Sequence, residues 1–292
     1  MSNLYEETKF LMKKYNISAN KKLGQNFLVD EEIVNKIVEE ADVKDTDLII
    51  EVGPGLGTLT KPLLEKAAKV ICVELDYKML SILKNRFGSY NNFEVINEDI
   101  LKVDLKSIIN KAKKEKDIKK AKIVANLPYY ITTPIIMKLL EEDLDIDSIT
   151  VMIQKEVADR LTAIPGNKNT GAITYAVYYY ASAEQVCFVP NQSFIPKPEV
   201  NSEVIKLTLR SEPVIDTNKE ILFSIIKSAF MQRRKTLVNA LQNNFILKDK
   251  SKQEIENILE QAGIDKKARG ETLKIEDYSR IVEIIETIIK VV

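Results

Sequence analysis

From residue 30 to about 155, runs of aliphatic and β-branched residues alternate with segments whose apolar positions recur at helical spacing. The stretches 47–53 (DLIIEVG), 69–75 (KVICVEL), 93–99 (FEVINED), 122–127 (KIVANL) and 148–154 (SITVMIQ) read as strands. Between the first three, 58–67 (TLTKPLLEKA) and 77–87 (YKMLSILKNRF) read as helices. Strands separated by helices, at spacings of roughly 25 residues, predict right-handed crossovers and a parallel sheet covered on both faces. The pattern is that of a doubly wound α/β domain.

After residue 155 come an amphipathic KEVADRLTA, a Gly-Asn-Lys-Asn loop at 166–169, a helix through AITYAVYYYA, and two closing strands in EQVCFVP and SEVIKLTLR. Residues 211–218 read as a linker, and the helical patterns beyond it have no intervening strands. The predicted organisation is an α/β domain over 1–212, opened by a basic arm, and a small all-α domain over 213–292. There is no internal repeat and no low-complexity tract.

Composition narrows the chemistry more than the fold. The 292 residues contain no histidine, which excludes Ser-His and Cys-His nucleophiles, an imidazole general base and any His-containing zinc site. Cys72 and Cys187 stand in apolar surroundings, form no pattern with other ligand types and read as buried reduced thiols, with no metal site expected. No apolar run approaches the roughly 20 residues of a spanning helix, and the polar N-terminus is unlike a secretory signal, so a cytoplasmic protein with no membrane association is expected. Lys plus Arg equal Asp plus Glu at 43 each, but the charges are uneven. Lys9, Lys13, Lys14, Lys21 and Lys22 make the arm basic, and KAKKEKDIKKAK (111–122) and QRRK (232–235) form two more clusters. Each cluster by itself is compatible with a solvated face or with an anionic partner.

The strand ends carry the chemistry, because open α/β sheets bind ligands beyond the carboxyl ends of their strands. The first strand ends in EVGPGLG, with Glu51 before Gly53, Gly55 and Gly57; the next three end in Glu74, Asp99 and Asn126. Gly-x-Gly-x-Gly by itself also serves turns and helix packing. An acid placed like Glu74 can accept hydrogen bonds from both hydroxyls of a ribose, which points to a nucleoside ligand. A dinucleotide fingerprint requires Gly-x-Gly-x-x-Gly, whereas Gly57 comes one position early and Thr58 occupies the place of the third glycine. The spacing favours a cofactor without a pyrophosphate, in particular S-adenosyl-L-methionine, with Asp99 reading the exocyclic amine of its adenine.

Taken with KKLGQNFLVD (21–30), NLPYYITTPI (126–135), QKEVADRL (154–161), FIPKPEVNSEV (194–204), AFMQRRKTLVNAL (229–241) and ARGETLKIEDY, these motifs make the chain resemble the KsgA-type small-subunit (16S) ribosomal RNA adenine dimethyltransferases from about residue 8 to the end. One departure is PGNKNTGAITYAV, which lacks a Tyr-Gly pair often found near there and leaves the RNA contacts of that loop open. The resemblance implies a Rossmann-like S-adenosyl-L-methionine-dependent methyltransferase domain, followed by the helical domain. It implies dimethylation of the exocyclic amines of two adjacent adenines near the 3′ end of small-subunit ribosomal RNA, within a pre-30S particle, by a monomer.

By the same resemblance, Asn126 and the Leu127 carbonyl accept hydrogen bonds from the target amine, and Tyr129 and Phe194 stack on the flipped base. Asn26 and Leu28 close over a cofactor also held by Gly53, Glu74, Asp99 and Asn126. The nearest rival is the related large-subunit RNA adenine methyltransferase, against which NLPY rather than NIPY and ARGETL weigh. A non-catalytic ribosome-assembly or transcription factor on the same fold, and a nicotinamide dehydrogenase, are more distant alternatives.

Overall fold

Among the described residues, seven strands form one sheet in the order β4-β3-β2-β5-β6-β9-β7. They are β2 (Asp47–Val52), β3 (Lys69–Glu74), β4 (Phe93–Asn97), β5 (Lys120–Asn126), β6 (Ser148–Gln154), β7 (Ala181–Val189) and β9 (Ser202–Leu209). A separate two-residue pair joins β1 (Phe27–Leu28) antiparallel to β8 (Phe194–Ile195). The helices are α1 (Asn3–Lys14), α2 (Glu31–Glu40), α3 (Thr60–Leu64), α4 (Tyr77–Phe87), α5 (Leu105–Ala112), α6 (Thr132–Glu141), α7 (Lys155–Leu161), α8 (Ala172–Tyr180), α9 (Lys219–Met231), α10 (Leu237–Leu241), α11 (Lys252–Gln261) and α12 (Ile275–Val291). The computed structural model describes residues 3–19, 24–115, 118–167 and 169–291, so Lys21, Lys22, Lys116 and Lys168 lie outside the described residues.

Two compact units are present, Met1–Ala158 with Ala183–Leu209, and Asp159–Ser182 with Arg210–Val292. In the first, β2 pairs parallel with both β3 and β5, and the order reverses around it, because β3 and β4 run to one side and β5 and β6 to the other. The register sets Glu51 beside Cys72 and Val124, Glu74 beside Asn97, and Asn126 beside Met152. β9 closes on β6 antiparallel. Every residue of β2 is buried, as a strand covered on both faces requires.

Aspartates start the flanking helices. Asp30, Asp76 and Asp104 each accept a backbone N–H from the first turn of α2, α4 and α5, contacts worth about 1 kcal/mol each. Behind the caps, α2 buries Val34, Ile37 and Val38, and α4 buries Met79, Ile82, Leu83 and Phe87. α1 joins this unit by packing Leu11 among Phe27, Leu56, Met79 and Ile82. The part of the basic arm that carries Lys9, Lys13 and Lys14 is therefore a docked helix.

The second unit is built on aromatic packing. Tyr175 of α8 is fully buried, donates its hydroxyl to the Leu273 carbonyl at 2.6 Å and meets Tyr278 of α12 edge-on with ring centroids 5.2 Å apart. The Tyr278 hydroxyl donates to the Gly270 carbonyl at 2.9 Å. A Cβ at Gly270 would lie 2.6 Å from that of Ala229, which explains the glycine in ARGETL. Because Tyr175 and Tyr179 belong to this core, the segment 159–182 packs with the helices that follow residue 210, a wider unit than 213–292.

Candidate active site

A cleft of about 300 Å³ opens at the carboxyl ends of β2, β3 and β5, where the strand order reverses. Asn26, Leu28, Gly53, Glu74, Asp99, Asn126, Leu127 and Tyr129 all line it, with Glu51, Gln25, Leu75 and Tyr130. Phe194 does not. It is 3% exposed and packs in the apolar cluster with Leu28, Val124, Met152 and Val204, opposite Leu28 in the β1–β8 pair. Its pairing with Leu28, which does line the cleft, sets Phe194 next to that wall.

The glycine loop after β2 forms the floor. Gly53, Gly55 and Gly57 have φ of +64°, +58° and +83°, a region that L side chains rarely adopt. Gly53 donates its N–H to the Val73 carbonyl at 2.9 Å, which ties the loop to β3. Gly57 serves packing, since a Cβ there would lie 2.3 Å from Cε2 of Phe87.

Glu74 is held by backbone. Its Oε2 accepts from Gly55 N–H at 3.2 Å and its Oε1 from Asp76 N–H at 2.8 Å. Ionised carboxylates have about four acceptor positions, so Glu74 keeps acceptor capacity for a ligand. Burial pushes its pKa up, and the two backbone bonds work against that shift. Asp99 spends Oδ1 on Leu101 N–H at 3.0 Å, and Oδ2 has no partner among the described residues. Beneath them Glu51, 1% exposed, accepts the Thr60 hydroxyl at 2.6 Å and the Cys72 thiol at 3.4 Å. Burial, chiefly, raises its pKa from 4.5 to about 7.

The opposite wall is the end of β5. Leu127 donates its N–H to the Met152 carbonyl, Pro128 stops the strand, and Tyr129–Ile131 make a 3₁₀ turn that leads into α6. Asn126 donates through Nδ2 to the Asn26 carbonyl at 3.2 Å, which fixes the amide plane and leaves Oδ1 without a partner among the described residues. The Tyr129 hydroxyl and Ser202 Oγ are 2.5 Å apart, so the half-buried ring is anchored at its far end. Tyr130, 57% exposed, stands against Gly24, whose added Cβ would lie 3.3 Å from its ring. Tyr130 and Leu75 were not among the residues read from sequence. An apolar side chain directly after a strand-end acid, and the second tyrosine of NLPYY, were the available signals.

The sequence profile described as ribosomal RNA adenine dimethylase matches residues 16–283. The chain belongs to that family. Relatives named ribosomal RNA small subunit methyltransferase A include those of Clostridioides difficile strain 630, 48% identical over 285 residues and covering 97% of this chain and 96% of the relative, and of Bacillus pumilus strain SAFR-032, 46% identical over 280 residues (96% and 95%). Among solved structures, a dimethyladenosine transferase from Plasmodium falciparum superposes with a TM-score of 0.73 at 28% identity, covering 89% of this chain and 98% of that one. The 23S rRNA methyltransferase ErmE superposes with a TM-score of 0.65 at 26% identity (89% and 100%). The family is one of Rossmann-like enzymes that methylate adenine in ribosomal RNA, and the α/β unit has that architecture. Among the described residues no helix is long and apolar enough to cross a membrane.

The basic clusters differ in availability. In the run at 111–122, Lys113 pairs with Asp145 at 2.6 Å, Lys120 with Asp147 at 2.8 Å, and buried Lys122 with Asp47 at 2.7 Å. The QRRK segment is the turn between α9 and α10. There Arg233 reaches Glu271 at 3.3 Å, while Arg234 and Lys235 are exposed and carry no ion pair among the described residues. Of the thiols, Cys72 is buried and Cys187 half-buried.

Proposed function

We propose that the chain is a cytoplasmic, monomeric enzyme that uses S-adenosyl-L-methionine to dimethylate the exocyclic amines of two adjacent adenines near the 3′ end of small-subunit ribosomal RNA, within a pre-30S particle. The observation that carries the reading is Oδ1 of Asn126, without a partner among the described residues and in the same cleft as the backbone-held Glu74. The residues fit the cofactor: a floor built on glycines that let a ligand approach the backbone, two carboxylates with acceptor capacity, and a small-molecule-sized cleft. S-adenosyl-L-methionine supplies a methyl group on a sulfonium sulfur, already strongly electrophilic. Glu74 takes the ribose hydroxyls, Asp99 the amine of the cofactor's adenine, Gly53 lets the backbone approach, and Asn26 and Leu28 cover the ligand.

What remains for the protein is the nucleophile. An adenine amine is weakly nucleophilic because its lone pair is conjugated with the ring. Two oxygen acceptors, Asn126 Oδ1 and the Leu127 carbonyl, favour its pyramidal form by taking hydrogen bonds from its protons. Tyr129 presents a face for the flipped base, and stacking at roughly 1–3 kcal/mol offsets part of the cost of extrusion. Phe194 is the second aromatic residue that the reading assigns to the flipped base. Orientation in near contact then lowers the barrier without an imidazole. Arg234 and Lys235 are the leading phosphate contacts, with the lysines of α1 next.

The test is incubation with labelled methyl donor and separate small- and large-subunit particles from unmethylated cells, followed by nucleoside analysis. Dimethyladenosine confined to small-subunit RNA is expected. Label in large-subunit RNA alone overturns the assignment in favour of the related large-subunit RNA adenine methyltransferase.

A further inference from the structure

The floor of the cleft is clamped from outside by a cation that takes no part in the chemistry above. Arg86, in the last turn of α4, has a side chain 15% exposed, with its guanidinium 5.0 Å from the Phe87 ring centroid. One arm, Nη1, donates to the carbonyl of Leu56, the residue between Gly55 and Gly57. The other, Nη2, donates to Glu7 Oε1 of α1 at 2.5 Å. Leu56 is also an apolar neighbour of Leu11 on α1, so helix and loop meet through a core contact and through one shared guanidinium.

We propose that Arg86 is a positioning residue for the glycine loop, and that through Glu7 it makes helix α1 part of the donor-binding apparatus. The inference rests on the reading that the cleft takes S-adenosyl-L-methionine. A guanidinium is a rigid planar fork, so satisfying Leu56 and Glu7 together fixes the direction of the Leu56 carbonyl relative to α4. That carbonyl belongs to the turn whose preceding N–H, from Gly55, holds Glu74. Holding the loop with three alternate glycines at positive φ costs conformational entropy, and a docked α1 meets part of that cost before the donor arrives. By reciprocity, a bound donor must also hold α1 more firmly. Lysine has a single nitrogen on a flexible stem and cannot reproduce both contacts in one geometry.

The experiment uses the full chain, with S-adenosylhomocysteine as the calorimetric probe and amide exchange of α1 as a second readout. Arg86→Lys and Arg86→Ala are expected to weaken binding about tenfold or more, and Glu7→Gln by less, since loss of one charge-assisted bond accounts for about that much. In methyl transfer, KM for the donor should rise while kcat at saturation holds. The probe should slow exchange in α1 of the parent and fail to do so in Arg86→Lys. A merely structural role would lower the melting temperature and leave affinity and the α1 response unchanged. If Arg86→Ala does not fold, Arg86→Lys and Glu7→Gln decide. Parental binding by folded Arg86→Lys overturns this inference alone, whereas a parent chain that does not bind the probe removes the cofactor reading and this inference with it.

Discussion

The backbone N–H of Gly55 donates to Oε2 of Glu74 at 3.2 Å, so the floor of the cleft and its acid are one hydrogen-bonded unit. Glu74→Ala removes the acceptor proposed for the ribose and the acceptor of the Gly55 N–H together. Charge-assisted hydrogen bonds contribute roughly 1.5–3 kcal/mol each. Calorimetry with S-adenosylhomocysteine should show affinity falling at least tenfold. Unchanged affinity, or tight binding of NAD by the parent, would remove the assignment.

Glu51 gives a pH signature. Its folded pKa of about 7 exceeds the ordinary 4.5, because burial disfavours the anion. Between those values the native state holds more protons here than the unfolded chain, so stability from this residue is present below pH 4.5 and falls as pH rises through the window. The full loss has an upper bound of about 3 kcal/mol. Glu51→Gln should lack this decline. Urea unfolding of both proteins at pH 5 and pH 8 should show the difference moving in favour of the variant; an equal difference at both would refute the buried neutral acid.

Gly57 and Gly263 have similar backbone angles, φ +83° and +72°, but different surroundings. An added Cβ at Gly57 meets Phe87 at 2.3 Å, and at Gly263 it meets nothing within 4 Å. Gly263→Ala should cost only the left-handed strain, about 1–2 kcal/mol. Gly57→Ala adds overpacking and should cost roughly 2–5 kcal/mol. Equal midpoints in urea would contradict the packing role of Gly57.

The end of β5 separates chemistry from engagement. Asn126→Ala should slow single-turnover methyl transfer roughly 10²-fold, by analogy with removal of one preorganised polar contact, with RNA affinity little changed at full donor occupancy. Tyr129→Ala should weaken both RNA engagement and rate, because stacking acts before the chemical step as well as during it. Tyr129→Phe loses only the bond to Ser202 and should be milder. A folded, donor-saturated Asn126→Ala protein with the parental rate would end the mechanism proposed here.

The parallel strands were legible because each is a short aliphatic run flanked by turn residues, and SITVMIQ coincides with β6. The carboxyl-end residues followed from that register: Glu74, Asp99 and Asn126 reach one cleft because parallel strands end on the same side. The β1–β8 pair was not legible, since two-residue strands far apart in sequence carry no periodicity, and with it went the pairing of Leu28 with Phe194. Nor could the pattern assign α8. AITYAVYYY is apolar on nearly every side, so its spacing announces a helix without saying which core receives it. Arg86 was silent for another reason: its partners, Glu7 and the Leu56 carbonyl, lie on two other elements.

Because α8 belongs to the helical unit yet lies in sequence between β6 and β7, the chain passes between the two units at 158/159, 182/183 and 209/210. The C-terminal helices are therefore not a detachable appendage. A protein cut at residue 210 would keep α8 but lose Tyr278, Leu273 and the rest of the core around Tyr175 and Tyr179, which would leave two large aromatic side chains without their burial partners in the middle of the catalytic chain. Loss or exchange of this unit, by engineering or by descent, requires α8 to be rewritten in the same step.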